Sequence, residues 1–311
     1  MNVNATDVSK SYGPVTALDE LSLEIPSGTT FGVLGTNGAG KTTLFTLLVG
    51  LDRPDAGELT VGCQSVIAAG RAIRTEVGYL PESVGFPDDL TGREILSFHA
   101  RMRGLGGDRG KRIESVLDTV GLSNAAADRR VEGYSNGMRR RLGLGTALLP
   151  RPAVLVLDEP TAGLDPRGVA EFHRIVERVR ETTDATVILS SHVLSEVEGM
   201  CDRVAILHDG QVAAAGSVEE LTGEGTVRLK LTPGAETAVA DLHDAVVAFD
   251  PASIAGDTGA EPITVDCPAR GLPELFAAIE AASGVTISDV RVVRGGLEGS
   301  FHEAIPGEVD A

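Results

Sequence analysis

One glycine-rich loop constrains the fold of this chain more than any other stretch of its sequence. The loop reads Gly35-Thr36-Asn37-Gly38-Ala39-Gly40-Lys41-Thr42-Thr43. It follows the apolar run 30–34, which predicts a buried strand, and it precedes residues 44–49, which predict a helix. A strand, a glycine-rich loop, Lys-Thr and a helix, in that order, are typical of a phosphate-binding P-loop. A glycine-rich turn that binds nothing is the alternative, and the full G-x-x-x-x-G-K-T pattern disfavours it.

The residue types in this loop explain its chemistry. Glycines allow successive backbone N–H groups to point inward as a nest for an anion, and the following helix adds the partial positive charge of its N-terminus. Lys41 can reach the β- and γ-phosphates of a nucleotide, and the hydroxyl of Thr42 can bind Mg²⁺. The loop therefore predicts a bound magnesium nucleotide, without specifying the nucleotide or the process that its hydrolysis drives.

Polar side chains follow two further apolar runs. Residues 153–157 are continuously apolar, as in a strand buried on both faces, and Asp158 and Glu159 come directly after them. The carboxyl end of a central parallel strand is where α/β sheets bind ligands, and unpaired structural carboxylates are costly to bury there. His192 follows the apolar run 185–189 in the same way. These three polar side chains are therefore candidate site residues.

Two residues have both a binding and a purely structural interpretation. The ring of Tyr12 can stack on a nucleotide base, and a half-buried structural aromatic is equally compatible with the sequence. Ser135 is predicted to begin a helix, where its hydroxyl and the free N–H groups can bind a second anion. A plain N-cap is the simpler interpretation of Ser135 taken alone. Asp165, followed by Pro166, is also predicted to begin a helix, with Asp at the N-cap and Pro at the first helical position.

The residue patterns divide the chain into a large and a small domain. Residues 1–222 alternate between strand and helix signals, and a helical subdomain is predicted at about 83–150. Thr91 and Glu94 have the spacing of a capping box near its start. Residues 226–311 are predicted to form a C-terminal α+β extension without a recognisable chemical motif. Its predicted elements are strands at 227–231, 263–265 and 285–293 and helices at 236–246 and 272–279.

The composition disfavours several classes of protein. The net charge of −18 argues against general affinity for nucleic acid, whose backbone requires a basic surface. Such acidity suits a high-salt cytoplasm, where salt screens self-repulsion, so a halophilic source is predicted, with an ordinary acidic cytosolic protein as the alternative. Three widely spaced cysteines indicate a reduced compartment and neither a disulfide framework nor a zinc site. No apolar run approaches the roughly 20 residues of a membrane span, and residues 1–13 lack a signal-peptide core, so we expect a cytoplasmic chain.

The order and spacing of these motifs resemble those of the ATP-binding cassette (ABC) family over about residues 2–220. The resemblance implies an α/β fold, namely a P-loop ABC nucleotide-binding domain with a mixed sheet core and a helical insert. It also implies that the chain binds ATP and Mg²⁺. The residues that would face the metal ion are Thr42, Asp158 and Glu82.

The resemblance gives each candidate residue a role. Residues 35–43 correspond to the Walker A loop, Asp158 to the Walker B carboxylate, and Glu159 to the residue that polarises the attacking water. Tyr12 corresponds to the aromatic residue that stacks on adenine, and His192 to the switch histidine that contacts the γ-phosphate. The other matches are the loop that joins the core to the helical insert, residues 78–82; the signature, Tyr134-Ser135-Asn136-Gly137-Met138; and the D-loop, Gly163-Leu164-Asp165.

Two positions depart from the family pattern. Glu82 stands where the family usually has Gln, and the signature reads Ser-Asn-Gly-Met where the family usually has Ser-Gly-Gly-Gln. Both variants resemble the branch that serves ABC-2-type exporters, which often carries a C-terminal extension. Within that branch, residues 79–94 and 127–144 resemble the ATPase of the copper-processing transporter that helps nitrous oxide reductase to mature. The chain has no Cys/His/Met cluster that could bind copper, so such a cargo would belong to partner chains.

The resulting prediction is an ATPase subunit that drives a separate integral membrane permease from the cytoplasmic face of the membrane. One Walker A loop and one signature per chain imply a homodimer on ATP binding. In that dimer, Ser135 and the N–H groups after it would contact the ATP held by Lys41 of a second copy. The helical insert is expected to contact the permease.

Three other functions are weighed against this prediction. A soluble ABC ATPase that acts on nucleic acid or ribosomes is disfavoured by the single P-loop and the acidity. A P-loop kinase or GTPase is disfavoured by the signature and by His192. A non-transport ATPase that serves as an assembly scaffold stays open, because the sequence does not exclude it.

Overall fold

The computed structural model describes residues 1–70, 72–222, 226–233, 253–254, 263–268, 275–276, 285–294, 297, 301 and 304–305. The chain divides into two compact units, Met1–Val218 and Glu219–Ala311. None of the helices in these described ranges is long and apolar enough to cross a bilayer.

Strands and helices alternate along the first unit. The strands are β1 (Val3–Tyr12), β2 (Val15–Ile25), β3 (Thr30–Gly35), β4 (Ala56–Val61), β5 (Gln64–Ser65), β6 (Val77–Leu80), β7 (Val154–Leu157), β8 (Thr186–Ser191), β9 (Arg203–His208) and β10 (Gln211–Ser217). The helices are α1 (Lys41–Leu48), α2 (Val66–Ala69), α3 (Ile73–Glu76), α4 (Gly92–Met102), α5 (Arg109–Thr119), α6 (Asn124–Ala127), α7 (Asn136–Leu148), α8 (Pro166–Thr182) and α9 (Leu194–Met200). A further helix, α10 (Val218–Thr222), begins at the last residue of this unit and continues into the second.

The central sheet of the first unit has six strands among the described residues, in the order β10-β9-β3-β8-β7-β6. Strands β9, β3, β8, β7 and β6 are parallel, and β10 is antiparallel at one edge. Strands β3, β7 and β8 are buried along their whole length, because both faces of such a sheet are covered. Their carboxyl ends therefore lie side by side. This mixed sheet confirms the predicted fold class.

A second sheet is antiparallel and has the order β2-β1-β4-β5 within the described part of the chain. One apolar core joins it to α1 and to the central sheet. Val8 of β1, Phe31 of β3 and Phe45 of α1 are fully buried members of this core. The core fixes the position of the loop that connects β3 to α1.

Helices α4 to α7 lie within residues 92–148, inside the range predicted for a helical subdomain. At the start of α4, the N–H of Thr91 donates to Glu94 Oε2 at 2.8 Å, and the N–H of Glu94 donates to Thr91 Oγ1 at 3.2 Å. This reciprocal pair confirms the predicted capping box. Arg93 then joins α4 to α5 and α6 through Glu114 and through Asp128, whose Oδ1 lies 2.7 Å from Arg93 Nε.

Helix α7 lies in backbone contact with strand β6. A Cβ on Gly78 of β6 would lie 2.5 Å from the carbonyl oxygen of Ala147, and a Cβ on Gly143 of α7 would lie 2.8 Å from Leu80 Cδ1. At Gly78 only glycine permits this close approach, because a Cβ there would meet the backbone of α7, whereas the Leu80 side chain beside Gly143 can shift. The helix that begins after Ser135 is therefore fixed against the strand that leads to Glu82.

The described part of the second unit contains β11 (Thr226–Pro233), β12 (Ser253–Ile254), β13 (Ile263–Pro268) and β14 (Val285–Arg294), all antiparallel in the order β12-β13-β11-β14. The three strands predicted for this region are confirmed. The helix predicted at 236–246 lies outside the described residues. Of the helix predicted at 272–279, only Leu275 and Phe276 are described, and both are helical.

Candidate nucleotide-binding and hydrolysis site

The loop between β3 and α1 has the backbone shape of an anion nest. Gly38 and Gly40 adopt positive φ angles of 90° and 103°, which favour glycine. A Cβ on Gly40 would also lie 2.6 Å from the carbonyl oxygen of Ala17, so a larger residue does not fit. Helix α1 begins after Gly40 without a side-chain cap, and Leu44 donates to Gly40 O at 2.9 Å. The amides of the first helical turn are therefore available to a ligand.

A cavity of about 520 Å³ opens over this loop. Its lining comes from the P-loop, from residues near the start of β2 and from the segments that follow β6, β7 and β8. The lining residues are Val15, Ala17, Asn37, Gly38, Gly40, Lys41, Thr42, Thr43, Glu82, Glu159, Ala162 and His192. Four separately predicted segments, the P-loop and those that contain Glu82, Glu159 and His192, thus share one cavity.

Lys41 is the cation of this cavity. Its side chain is only 6% exposed, and its Nζ donates to the carbonyl oxygens of Gly35 at 2.8 Å and Thr36 at 3.1 Å. The same Nζ lies 3.7 Å from Glu159 Oε1. That carboxylate oxygen is buried without a hydrogen-bond partner among the described residues. A phosphate group and a water molecule bound in the cavity can therefore satisfy both side chains.

Glu159 has a strained backbone at the end of β7. Its φ is 42°, in the left-handed region that costs a non-glycine residue about 1 to 3 kcal/mol and that occurs preferentially at functional sites. Its N–H donates to Ser190 Oγ at 2.8 Å, and its Oε2 lies 2.9 Å from His192 Nδ1. These contacts direct the carboxylate into the cavity, between Lys41 and His192.

Asp158 is buried beside Glu159 and is hydrogen-bonded by two hydroxyl groups. Ser190 Oγ donates to Asp158 Oδ1 at 2.8 Å, and the Tyr79 hydroxyl donates to Oδ2 at 3.4 Å. Burial raises the pKa of Tyr79 well above its ordinary value, and the charge of Asp158 raises it further. Tyr79 therefore stays protonated and keeps donating to Asp158 at physiological pH.

Arg140 is a site residue that the sequence analysis missed. Its side chain is buried, and all five N–H donors of a guanidinium are used. The acceptors are the carbonyl oxygens of Pro81, Glu82, Asp158, Glu159 and Pro160. A signal was present in the sequence, because Arg140 precedes the buried Leu144 and Ala147 by four and seven residues and so lies on the inner face of α7.

Tyr12, at the end of β1, lies outside the lining of this cavity. Its side chain is 48% exposed, and its hydroxyl donates to Asp52 Oδ2 at 2.8 Å. Lys10 Nζ lies 5.1 Å from the centre of its ring, within the range of a cation–π contact. The ring is therefore held from one side, with about half of its surface accessible.

The signature and D-loop residues contact each other, and none of them lines the P-loop cavity in the described part of the chain. Ser135 is the N-cap of α7, and its Oγ accepts from the N–H of Met138 at 3.3 Å. Asn136 Nδ2 donates to the carbonyl oxygen of Gly163 at 3.3 Å. Asp165 is the N-cap of α8. Gly137 lies in the first turn of α7 and is also outside the lining, as are three of the predicted P-loop residues, Gly35, Thr36 and Ala39.

Thr42, Glu82 and Asp158 are the residues available to Mg²⁺. Thr42 and Glu82 line the cavity, and Asp158 is a buried residue that directly precedes Glu159 of the lining. No group of three or more His, Cys, Asp or Glu side chains in the described ranges is arranged to bind a metal ion. This donor set fits Mg²⁺, because protein sites commonly hold that ion by one or two carboxylates together with substrate phosphates.

Comparison with known proteins identifies the family. Residues 18–162 match the family model described as ABC transporter. The chain is 37% identical over 220 residues to the linearmycin resistance ATP-binding protein LnrL of Bacillus subtilis (strain 168). This alignment covers 70% of each protein. It is also 40% identical over 225 residues to the daunorubicin resistance ATP-binding protein DrrA3 of Streptomyces coeruleorubidus. That alignment covers 71% of this chain and 70% of DrrA3.

The fold agrees with these sequence matches. A solved structure of the ATP-binding subunit of an ABC transporter is similar with a TM-score of 0.63 and 27% identity, over 71% of this chain and 92% of that chain. The chain therefore belongs to the ABC transporter family, as an ATP-binding protein of that family. The predicted family is thereby confirmed.

Proposed function

We propose that this chain is the ATP-hydrolysing subunit of an ABC exporter and that it drives a separate membrane-spanning permease. The observation that supports the proposal most directly is the single cavity in which the P-loop, Lys41, Glu159 and His192 meet. Phosphoryl transfer to water requires charge neutralisation on the phosphates and a positioned nucleophile. A phosphate-binding loop, a buried cation and a carboxylate base supply these requirements.

The proposed reaction is the hydrolysis of ATP to ADP and inorganic phosphate. The γ-phosphate lies against the P-loop amides and Lys41, and a water molecule attacks the γ-phosphorus opposite the bridging oxygen. Glu159 accepts a proton from that water while the bond from the γ-phosphorus to the bridging oxygen breaks. His192, which already contacts Glu159, holds the carboxylate on the cavity side. The proton then leaves Glu159 for solvent, which returns the base to its starting form.

The remaining predicted residues have supporting roles. Tyr12 stacks on the adenine through its accessible face. Mg²⁺, when held by Thr42, Asp158 and Glu82, would neutralise charge on the phosphates. A carboxylate at position 82, where the family usually has an amide, retains an oxygen that can face the ion.

We also propose that two copies of the chain form the complete site. Within one chain, Ser135 lies in a turn that contacts the Gly163 loop and not the cavity that contains Lys41. One chain thus presents two half-sites, and a symmetric dimer is the closed arrangement that pairs each P-loop with the signature of the other copy. Nucleotide bound only by the dimer stabilises it by mass action.

The dimer can be detected with a variant that binds ATP without hydrolysing it. Glu159→Gln is expected to be a monomer without nucleotide and a dimer with Mg-ATP, as measured by light scattering. High salt should strengthen the association, because each copy carries a net charge of −18 and salt screens the repulsion. Mg-ADP, which lacks the γ-phosphate, is the matched control, and the protein should stay monomeric in its presence. A variant that binds ATP and stays monomeric at every salt concentration contradicts the homodimer.

A groove of about 760 Å³ beside α4 is the proposed docking site for the permease. Leu51 and Met102 line it and are 62% and 72% exposed, and exposed apolar side chains of this kind are typical of interaction surfaces. Tyr79 lines the groove as well, and its hydroxyl contacts Asp158. We infer that a cytoplasmic segment of the permease with an apolar face occupies the groove, because Leu51 and Met102 offer it exposed apolar side chains.

Polar substitutions in the groove test this docking site. The double variant Leu51→Ser, Met102→Ser is expected to keep its basal ATPase rate within about twofold. Its permease-stimulated rate should fall at least about tenfold, since burial of each side chain contributes about 1.5 to 3 kcal/mol. The assay uses the membrane protein that co-purifies with the wild-type chain. Ile67→Ser, at an apolar residue of α2 that is 41% exposed, is the control. Unchanged stimulation in the double variant contradicts this location of the docking site.

The names of the relatives support an export function and not a particular cargo. LnrL and DrrA3 are named for resistance to linearmycin and daunorubicin, which favours the exporter branch suggested by Glu82 and the signature. A cargo connected with nitrous oxide reductase maturation stays a prediction from sequence resemblance, as does the halophilic source. The non-transport scaffold is distinguished from the proposed subunit by whether an integral membrane chain co-purifies.

A further inference from the structure

We propose that Arg140 is a positioning residue that holds the peptide of Glu159 in its reactive conformation and joins it to the loop that contains Glu82. The inference rests on the proposed ATPase function and adds a residue to it. Arg140 does not line the cavity, so it acts on the reaction only through other residues.

The hydrogen bonds of Arg140 connect two separate segments of the site. Nη1 donates to Glu82 O and to Pro81 O, the latter at 2.9 Å, in the loop after β6. Nη2 donates to Asp158 O at 3.1 Å and to Glu159 O, after β7. Nη1 thus contacts the loop after β6, and Nη2 contacts the segment after β7. The planar guanidinium sets the spacing between these two segments.

The bond to Glu159 O explains how a strained residue stays in place. A left-handed φ at a residue with a Cβ persists only where the surroundings fix it. Ser190 holds Glu159 at its N–H, and Arg140 holds it at its carbonyl oxygen. The peptide groups on both sides of the Glu159 Cα are therefore fixed, which sets the direction of its Cα–Cβ bond, and the contact with His192 then orients the carboxylate.

The charges around Arg140 are consistent with this role. Burial lowers the pKa of the guanidinium, and the carboxylates of Glu82, Asp158 and Glu159 raise it. One buried cation therefore offsets part of the repulsion among three neighbouring carboxylates. The glutamate at position 82, which departs from the family pattern, adds a third negative charge at a place where Arg140 can balance it.

Arg140 lies on α7, so its hydrogen bonds connect this helix to the Glu82 loop and to the Glu159 peptide. Helix α7 begins at the signature serine, Ser135, and Gly143 packs it directly against β6. Because the guanidinium is carried by α7, the position of this helix sets the position of the loop carrying Glu82 and of the Glu159 peptide together. Arg140 links the signature helix to the general base without touching the substrate.

Arg140→Lys tests the proposal, because lysine keeps the charge and loses the planar fork. The expected result is a fall in kcat of about tenfold or more, since small displacements of a reacting group have effects of that size, with the KM for ATP within about twofold of wild type. The second measurement is the same substitution in the Glu159→Gln background. A residue that acts through Glu159 should then change kcat less than about twofold, because the group that it positions is absent.

Arg112→Lys is the matched control. Arg112 is a partly buried arginine that donates to the carbonyl oxygens of Leu148 and Leu149, at the other end of α7 from the site. Both substitutions should lower the Tm, because each removes hydrogen bonds to backbone carbonyl groups, and Arg112→Lys should leave kcat unchanged. If Arg140→Lys does not fold, Arg140→Gln, which keeps a planar group with only two N–H donors, should show the same rate loss and the same dependence on Glu159.

The outcomes separate the positioning role from the function on which it rests. Wild-type protein without ATPase activity contradicts the proposed function. An active wild type with an unchanged kcat in Arg140→Lys contradicts only the positioning role. A rate loss that is equally large with and without the Glu159 carboxylate also contradicts it, because general structural damage does not depend on that carboxylate.

Discussion

Replacing Glu159 with glutamine is expected to slow ATP hydrolysis at least about a hundredfold, a loss typical of a missing general base. Glutamine has nearly the same shape and cannot accept the proton of the attacking water. ATP binding should persist, because the substitution removes a negative charge beside the phosphates. Steady-state phosphate release and binding of a fluorescent ATP analogue measure the two effects separately.

A control with the same chemical change isolates the role of the site. Glu24→Gln alters an exposed carboxylate of β2 and should hydrolyse ATP at the wild-type rate. A wild-type rate in Glu159→Gln itself would show that another group accepts the proton, and the role given to Glu159 would then be wrong.

Replacing Lys41 with alanine is expected to weaken ATP binding itself, at least about tenfold. A hydrogen bond between a charged donor and a phosphate contributes about 1.5 to 3 kcal/mol, and each 1.4 kcal/mol is about a factor of ten in affinity. The substitution also removes the cation that lies 3.7 Å from Glu159 Oε1. Titration with the fluorescent ATP analogue gives the affinity, and thermal unfolding without nucleotide shows whether the fold is retained.

Lys111→Ala is the control for Lys41→Ala. Lys111 lies on α5 with a side chain that is 81% exposed and pairs with Asp108 at 3.0 Å. Its loss removes one positive charge without touching the cavity, so the ATP affinity should stay within about twofold of wild type. If Lys41→Ala is folded and binds ATP as tightly as Lys111→Ala, Lys41 is not a phosphate ligand.

The parts of the site that follow strand ends could be predicted from the sequence. Buried parallel strands are continuous apolar runs, and their carboxyl ends meet at one edge of a sheet. The P-loop, Glu159 and His192 each follow such a run, which predicts that all three lie at one edge of the sheet. The neighbouring positions of β3, β8 and β7 then bring them into one cavity.

The contacts of Arg140 could not be predicted in the same way. Its five acceptors are backbone carbonyl groups, which every residue has, so no residue type in the sequence marks them. The left-handed φ of Glu159 has the same cause, since it is imposed by Ser190 and Arg140 from distant segments. The contacts of Tyr12 with Lys10 and Asp52 also depend on how the strand packs against the loop after α1.

The pairing of strand β3 determines when a nascent chain can first bind ATP. Thr30 of β3 pairs with Val187 of β8, and Phe31 pairs with Arg203 of β9. A ribosome that adds about 5 to 20 residues per second needs roughly 10 to 30 s to reach these partners after it has made β3. During that time the P-loop sequence is complete while its strand has no neighbour in the sheet. Residues 18–162, which match the family model, end before β8 and β9 begin. The part of the chain that identifies the family is therefore shorter than the part that must be synthesised before the nucleotide site can form.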